Sequence, residues 1–229
     1  MFRCILACDL KGGIVVRGVR GERDKYRPIQ EYSRIVSTSD PVEMIEVIRP
    51  GEVYIADLDR ITGTGDNSEI ISTISQRAKV MVDAGVSRVE DAKYIKTASC
   101  SVILGTETAP LRVMEALQGN DAVVSIDLKH GSVVAADPAL QKAPLEVVRK
   151  LNDLDLSAVI MLDMSRVGSD EGVDYNLLQR MVSVSKHPLI VGGGIRCLDD
   201  LERIEMSGAT GAIVASAVHS GRIPLDTLR

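Results

Sequence analysis

Two aspartates occupy matching places in a repeated stretch of the chain, and carboxyl groups in that arrangement suit proton transfer. Asp9 opens the segment DLKGGIVV, and Asp127 opens DLKHGSVV 118 residues later, with six of the eight positions identical. Each aspartate follows a short apolar run that is typical of a buried strand. Two carboxyl groups that face one substrate can act as general base and general acid. The alternative at each position is an aspartate that only caps the turn after its strand.

The general acid of such a pair must keep its proton at neutral pH. An unperturbed aspartate has a pKa of about 3.9, so about 0.1% of it is protonated at pH 7. Raising that pKa by about 3 units corresponds to roughly 4 kcal/mol, which burial or a nearby phosphate can supply. Lys11 and Lys129 follow the two aspartates at the same spacing. We expect these lysines either to pair with the carboxylates or the substrate, or to be solvated.

A second set of residues has the composition of a phosphate-binding site. Within 188–221, a triple-glycine turn ends one apolar run and an Ala-Ser turn ends the next. Glycine leaves backbone N–H groups uncovered, and phosphate commonly binds at the turns after the last two strands of a (β/α)8 barrel. The alternative for the triple glycine is a tight strand-to-helix turn. The residues predicted to bind phosphate are Gly105, Thr106, Gly192, Gly193, Gly194, Arg196, Ala215 and Ser216.

Charged residues also end other apolar runs or follow them closely. Asp57 ends the second run, and Asp163 ends the sixth within the segment DMSRVGS. The long connection over 10–39 is rich in glycine and arginine, a length and composition typical of a lid or binding loop. The residues predicted to bind substrate are Lys11, Arg17, Asp57, Lys129, Asp163, Ser165 and Arg166.

Eight apolar runs of strand length alternate with helical segments. They occupy residues 4–8, 53–56, 80–82, 102–104, 122–126, 158–162, 189–191 and 211–215. This alternation predicts an α/β fold with a parallel sheet closed into one (β/α)8 TIM barrel over residues 1–229. Asp40, Pro41 and Glu43 predict the beginning of the first helix. The internal repeats predict two half-barrels, at approximately 1–119 and 120–229.

Composition and residue spacing disfavour several classes of function. The net charge of −5 disfavours nucleic acid or an anionic membrane as the main partner. The four cysteines show no CxxC or CxxH spacing, so we expect reduced thiols and no metal site. No apolar segment reaches the about 18 residues of a membrane span. We therefore expect a cytoplasmic protein that binds a small phosphorylated substrate and needs no cofactor.

Taken together, the motifs resemble the half-barrel family of histidine biosynthesis, which contains ProFAR isomerase and the cyclase subunit of imidazole glycerol phosphate synthase. They are Asp9 with GxVVR at 13–17, Asp127, DxxRxG at 163–168, VGGGIR at 191–196 and VASAV at 214–218. The resemblance covers essentially the whole chain. It implies a cofactor-independent isomerase of a phosphorylated sugar or aminosugar, of the Amadori type, with Asp9 as base and Asp127 as acid.

Other functions fit the same resemblance. The cyclase also uses two such aspartates, so a cyclase or lyase acting on a related phosphoribosyl substrate remains an alternative, and it would imply a glutaminase partner. A phosphosugar-binding paralogue without turnover is a further alternative. Homo-oligomerisation is left open.

Three features depart from the family pattern. Asp83 stands at the first-half counterpart of the triple glycine, 109 residues before Gly192. The family substrates carry phosphate at both ends, and a carboxylate about 4 Å from a phosphate charge costs about 4 kcal/mol at an effective dielectric of about 20. Either Asp83 points elsewhere, or the substrate carries one phosphate. The chain also contains no tryptophan and one phenylalanine, and Val167 replaces a usually acidic residue. These departures favour a divergent paralogue of the isomerase.

Overall fold

The chain is built around a closed ring of parallel strands. The computed structural model describes residues 2–96, 100–119 and 121–229, and within these ranges eight parallel strands alternate with helices. Together with three short antiparallel strands, these make eleven described strands: β1 (Arg3–Lys11), β2 (Ile14–Arg17), β3 (Arg27–Pro28), β4 (Glu52–Asp57), β5 (Lys79–Asp83), β6 (Ser101–Gly105), β7 (Val123–Lys129), β8 (Ser132–Val133), β9 (Ala158–Asp163), β10 (Leu189–Gly192) and β11 (Gly211–Val214).

The order of pairing closes the ring. From β1 the sheet continues through β4, β5, β6, β7, β9 and β10 to β11, which pairs in parallel with β1. At the closure, Arg3 lies opposite Gly211 and Leu6 lies opposite Val214. The predicted (β/α)8 barrel is therefore confirmed. The predicted boundary between half-barrels falls at Asn120, which lies outside the described residues, and the division itself stays a prediction.

The long connection over 10–39 contains short strands in addition to loop. β2 folds back antiparallel on β1, with Asp9 opposite Val16, and β3 pairs antiparallel with β2. Gly12 and Gly13 make the turn between β1 and β2 with φ of 60° and 79°, values that glycine adopts readily. A second antiparallel pair follows β7, where Leu128 lies opposite Val133 of β8.

Helices surround the ring. They are α1 (Pro41–Ile48), α2 (Leu58–Thr62), α3 (Ser68–Ser75), α4 (Ala92–Lys96), α5 (Leu111–Leu117), α6 (Pro144–Leu151), α7 (Tyr175–Val184), α8 (Leu198–Met206) and α9 (Ser216–His219). The predicted beginning of α1 is confirmed, because Asp40 accepts a hydrogen bond from the amide of Glu43 at 2.8 Å and Pro41 is the first helical residue. In the described ranges, no helix combines the length and the apolar character that crossing a membrane requires.

Side chains of the ring strands alternate between two apolar layers. On β1, Ile5 and Ala7 face the barrel interior, whereas Leu6, Cys8 and Leu10 pack among residues of the helices. The interior layer continues on the other strands with Tyr54, Met81, Ile103, Val123, Ile160, Ile190 and Ile213. Because successive residues of a strand point to opposite faces, this alternation determines which residues at the strand ends open into the mouth of the barrel.

Ile103 tests the packing of the interior, because it is fully buried inside the ring. We expect Ile103→Ala to lower the free energy of unfolding by about 2–5 kcal/mol, since the ring cannot collapse around the void, and Ile103→Val to cost about 0.5–1.5 kcal/mol. Urea unfolding followed by circular dichroism measures both. Val47→Ala, at a site that is 52% exposed, is the control. Equal losses for the two Ile103 variants would contradict a tightly packed interior.

Candidate active site

A cleft opens at the carboxyl ends of the ring strands. Residues from the ends of β1, β5 and β7, from the segment after β2 and from the turns after β10 and β11 line it. This is the end of a (β/α)8 barrel at which enzymes of this fold place their catalytic residues. The titratable residues of the lining are Asp9, Arg17, Arg23, Tyr26, Tyr54, Asp83, Glu107, Asp127, Asp170 and His219.

Three aspartates enter the cleft because of their place in the alternation of their strands. Asp9, Asp83 and Asp127 each lie an even number of residues beyond an interior-facing apolar side chain of β1, β5 or β7. Their side chains therefore point to the inside of the ring. Asp57 and Asp163 end β4 and β9 an odd number of residues beyond the interior side chains, and the structure places neither in the lining.

Asp127 is held by donors on both of its oxygen atoms. Its Oδ1 accepts from the hydroxyl of Ser125 at 2.7 Å, and its Oδ2 accepts from the amide of Glu107 at 2.9 Å. The buried hydroxyl of Thr106 accepts from the amide of Asp127 at 3.0 Å and donates to the carbonyl of Val134 at 2.8 Å. These contacts hold the carboxyl group in one orientation at the mouth of the barrel.

Asp9 reaches the cleft beside a segment of backbone. The pairing of β2 with β1 brings Gly18 so close that a Cβ there would lie 2.6 Å from Oδ2 of Asp9 and 3.6 Å from the hydroxyl oxygen of Tyr26. Any side chain at Gly18 would displace the carboxyl group. In the described part of the chain, no residue donates a hydrogen bond to the carboxyl group of Asp9, so both carboxyl oxygen atoms are available to a substrate.

Asp83 lies close to Asp127. The Oδ2 atoms of Asp83 and Asp127 lie 3.3 and 3.0 Å from the position that a Cβ would take on Gly105. Asp83 is only 9% exposed, and its Oδ1 accepts from the amide of Gly85 at 3.1 Å. Despite this crowding, the described residues contain no group of three or more His, Cys, Asp or Glu side chains arranged to hold a metal ion.

Burial raises the pKa of all three aspartates. It raises the pKa of Asp9 to about 7, with the charge of Arg23 opposing the change and that of Asp83 adding to it. Burial and then the charge of Asp83 raise the pKa of Asp127 to about 7, although its two donors lower it. Burial raises the pKa of Asp83 to about 6. Near neutral pH the three groups share protons, so the cleft offers a protonated carboxyl group and a carboxylate together.

Other polar groups surround the aspartates. The guanidinium of Arg23 donates to the carboxylate of Glu107 at 2.6 Å. Tyr54 is buried in the interior layer of the barrel, and burial followed by the charges of the three aspartates raises the pKa of its phenol well above the ordinary value. Tyr54 therefore stays protonated at neutral pH.

The predicted phosphate-binding turns line the same cleft. Gly193 and Gly194 have φ of 96° and 84°, and a Cβ on either would lie 2.3 Å from a backbone carbonyl oxygen. Only glycine fits at these two positions. The backbone therefore makes the tight turn that the sequence offered as an alternative, whether or not the turn also binds phosphate. The amides of Gly194 and Ser216 donate to no other described residue. Uncovered amides of this kind attract anions.

Arg17 lies beside these turns. Its guanidinium stacks 3.8 Å over the ring of Tyr32 and donates to the carbonyl of Gly168 at 3.3 Å. The Nε of Arg17 is buried and has no hydrogen-bond partner among the described residues. The side chain therefore brings a positive charge and an unused donor to the edge of the cleft.

His219 is a neutral donor in the cleft lining. Its Nδ1 lies 3.0 Å from the hydroxyl oxygen of Ser33, which already accepts from the amides of Ile35 and Val36. The hydroxyl proton therefore points to Nδ1, and the hydrogen of the imidazole is on Nε2. Burial lowers the pKa of His219 to about 4, and Nε2 has no partner in the described ranges.

Several residues predicted to bind substrate lie outside the cleft lining. Lys11 donates to the carbonyl of Arg23 at 2.9 Å, and Lys129 is exposed. Asp57 is fully buried and caps α2 through the amide of Arg60. The remaining three of these residues bind one another, since Asp163 accepts hydrogen bonds from the Ser165 hydroxyl and the Arg166 guanidinium. Their roles in binding stay predictions.

Of the eight residues predicted to bind phosphate, four line the cleft and four do not. The cleft lining contains Gly193, Gly194, Ala215 and Ser216. The guanidinium of Arg196 is held by two hydrogen bonds to Asp200, and a Cβ on Gly192 would lie 2.8 Å from Cδ1 of Leu162. Gly105 and Thr106 shape the surroundings of Asp127. For all eight residues, phosphate binding stays a prediction.

Sequence reasoning missed some residues of the cleft. It treated Asp83 as a departure, although Asp83 ends β5 and Asp9 and Asp127 each lie two residues before the end of β1 and β7. Arg23 and Glu107 lie in connections, and no motif points to them. Tyr54 lies within an apolar run, so its sequence context is that of any core residue.

The raised pKa of Asp9 predicts a pH dependence of stability. Between about pH 4 and pH 7 the folded protein holds a proton on Asp9 that the unfolded chain has released, so the free energy of unfolding falls as pH rises. Asp9→Asn removes this contribution, and we expect it to raise the free energy of unfolding by roughly 1–3 kcal/mol at pH 8 and to change it little at pH 4. Urea unfolding at both pH values measures this, with the exposed Asp153→Asn as control. Destabilisation by Asp9→Asn at pH 8 would contradict it.

Comparison with known proteins places the chain among histidine-biosynthesis proteins. The family model described as "Histidine biosynthesis protein" matches residues 3–224. An uncharacterized protein of Methanocaldococcus jannaschii is 35% identical over 232 residues, which cover 99% of this chain and 97% of that protein.

Two further relatives have named activities. Proteins of Methanosarcina barkeri and Thermoanaerobacter pseudethanolicus, each 31% identical, cover 99% and 96% of this chain and 96% and 94% of their own lengths. Both are named 1-(5-phosphoribosyl)-5-((5-phosphoribosylamino)methylideneamino) imidazole-4-carboxamide isomerase. With a family match that spans nearly all of a closed (β/α)8 barrel, this chain belongs to the histidine biosynthesis protein family.

Proposed function

We propose that this protein is an isomerase of a phosphorylated sugar or aminosugar and that it works by proton transfer between two aspartates and the substrate. The observation that carries the proposal is the presence of Asp9 and Asp127 in one cleft with the uncovered amides of Gly194 and Ser216. The names of the two isomerase relatives support the reaction class.

Asp9 is the general base of the proposed reaction. Burial raises its pKa to about 7, so its carboxylate is a stronger base than an exposed aspartate. The carboxylate accepts no hydrogen bond from a described residue, and its oxygen atoms can therefore reach a proton on the substrate. In an Amadori-type isomerisation this proton leaves C2 of the sugar, and a proton is delivered to C1.

Asp127 is the general acid. It faces the same cleft, and its pKa of about 7 leaves a substantial fraction protonated at neutral pH. Protonation of the ring oxygen by Asp127 opens the sugar ring, which makes the C2 proton acidic. Ser125 and the Glu107 amide keep the carboxyl group oriented in both protonation states, so little reorganisation accompanies the proton transfer.

The phosphate of the substrate binds at the second-half turns. The amides of Gly194 and Ser216 provide the donors, and Arg17 adds positive charge at the edge of the cleft. Binding a group that does not react fixes the position of the reacting carbon atoms between the aspartates. The partner of the protein in this proposal is the small phosphorylated substrate alone.

The two aspartates provide the test. We expect Asp9→Asn and Asp127→Asn each to lower kcat by about 10²–10⁴-fold, the usual contribution of a general acid or base, and to leave the Kd for substrate within about threefold. The assay follows aldose-to-ketose conversion by NMR in D2O with a panel of N-(5-phosphoribosyl)amines, including the substrate named for the relatives. Because C2 becomes a carbonyl carbon in the ketose, deuterium from the solvent at C1 of the product, or at C2 of recovered substrate, reports the proton transfer.

Asp153→Asn, outside the cleft, is the matched control and should retain full activity. Unchanged conversion by both aspartate variants would end the catalytic assignment. Tight phosphosugar binding by a well-folded wild-type protein that converts none of the panel would indicate a binding paralogue.

A further inference from the structure

We propose that the cleft takes a substrate with a single phosphate, bound at the second-half turns, and that the other end of the substrate presents hydroxyl or amine donors to Asp83. This rests on the proposed function, which it narrows to a substrate class. The two isomerase relatives are named for a substrate with two phosphoribosyl groups, so the proposal separates this chain from them.

The internal repeat identifies the place where a second phosphate would bind. A shift of 109 residues brings Asp83 to Gly192 and Gly85 to Gly194. The same shift brings Glu107, which follows β6 by two residues, to Ser216, which follows β11 by two residues. The first half therefore carries two carboxylates at positions where the phosphate-binding turns of the second half have a glycine and a serine.

The backbone amides of the two halves differ in the same way. In the first half, the amide of Gly85 donates to Oδ1 of Asp83 at 3.1 Å, and the amide of Glu107 donates to Oδ2 of Asp127 at 2.9 Å. The equivalent amides of Gly194 and Ser216 donate to no described residue. The donors that would hold a first-half phosphate are thus already used by acidic side chains of the protein.

Charge excludes an anion from the first-half position as well. The Oδ2 atoms of Asp83 and Asp127 both lie within 3.3 Å of the position that a Cβ would take on Gly105. The nearby cation, Arg23, donates to Glu107 and so is already paired. A phosphate placed here would meet two acidic side chains, and the charge of the cation beside them is already balanced by Glu107.

A hydrogen-bond donor fits where the phosphate does not. Asp83 lines the cleft and is only 9% exposed, and no described residue donates to its Oδ2. A buried carboxylate oxygen without a donor favours a ligand hydroxyl or ammonium group that supplies one. Asp83 and Glu107 are therefore the residues that determine specificity at this end of the cleft.

Two probes that share one half test the proposal. The first is the bisphosphate for which the relatives are named, and the second is 1-(5-phosphoribosyl)-5-aminoimidazole-4-carboxamide, the imidazole half of that molecule, which carries one of its two phosphates. Isothermal titration measures the Kd of each for the wild type and for the double variant Asp83→Gly with Glu107→Ser, which copies the second-half residues. Asp121→Gly with Glu90→Ser, both exposed and outside the cleft lining, makes the same substitutions and the same change in charge as a control.

We expect the wild type and the control to bind the monophosphate at least as tightly as the bisphosphate. The double variant should bind the bisphosphate at least tenfold more tightly than the wild type does, and it should bind the monophosphate less tightly, because Asp83 no longer accepts from the amine of that probe. Asp83→Asn, which keeps the shape of the side chain, should give a smaller gain in the same direction if the double variant does not fold.

The outcomes separate this inference from the proposed function. A wild type that binds the bisphosphate tenfold more tightly than the monophosphate overturns the single-phosphate inference and leaves the isomerase proposal intact. A wild type that binds neither probe overturns phosphate binding at the second-half turns, and the inference is then wrong with it. Equal bisphosphate affinity in the wild type, the double variant and Asp83→Asn contradicts the role of Asp83 and Glu107.

Discussion

Alternation of side chains between the barrel interior and the helix layer is the constraint on which the site depends. Each ring strand is buried on both faces, so each residue faces either the interior or the helices. Asp9, Asp83 and Asp127 share the parity of the interior residues and meet in the cleft. Asp57 and Asp163 have the opposite parity, and their carboxyl groups bind the turns that follow their strands. One residue of difference in position decides whether an aspartate lines the cleft or binds the turn after its strand.

Burial and mutual repulsion then set the chemistry of the three aspartates. A single buried carboxyl group would hold its proton because the charged form is poorly solvated. Three together also repel one another when ionised, and the charge of Asp83 raises the pKa of both Asp9 and Asp127. The resulting pKa values near 7 suit an acid and a base that exchange protons at neutral pH. The cost is a folded state that is less stable at high pH, which is usual where function requires desolvated charge.

The two ends of the cleft differ in the groups that they present to a ligand, although the sequence motifs around them repeat. At the second-half end, glycine and small residues leave amides uncovered, and Arg17 and the neutral donor His219 lie nearby. At the first-half end, Asp83 and Asp127 accept from the corresponding amides. The two ends therefore differ in what they offer a ligand, because backbone donors are uncovered at one end and carboxyl acceptors occupy them at the other.

The sequence by itself determined the barrel, because strand-length apolar runs and helical segments alternate eight times, and it identified Asp9 and Asp127 through the repeated DLK segment. It also located the triple-glycine turn, since glycine is the residue whose conformational freedom that turn requires. It did not show that the side chain of Asp83 points into the barrel and those of Asp57 and Asp163 do not. Strands buried on both faces are apolar throughout, so their sequences carry no visible alternation. Only the tertiary structure decided which strand-end residues face inward, because strand register and ring closure set that parity. The ion pair of Arg23 with Glu107 joins residues 84 positions apart in connections without a motif, and such contacts exist only once the chain has folded.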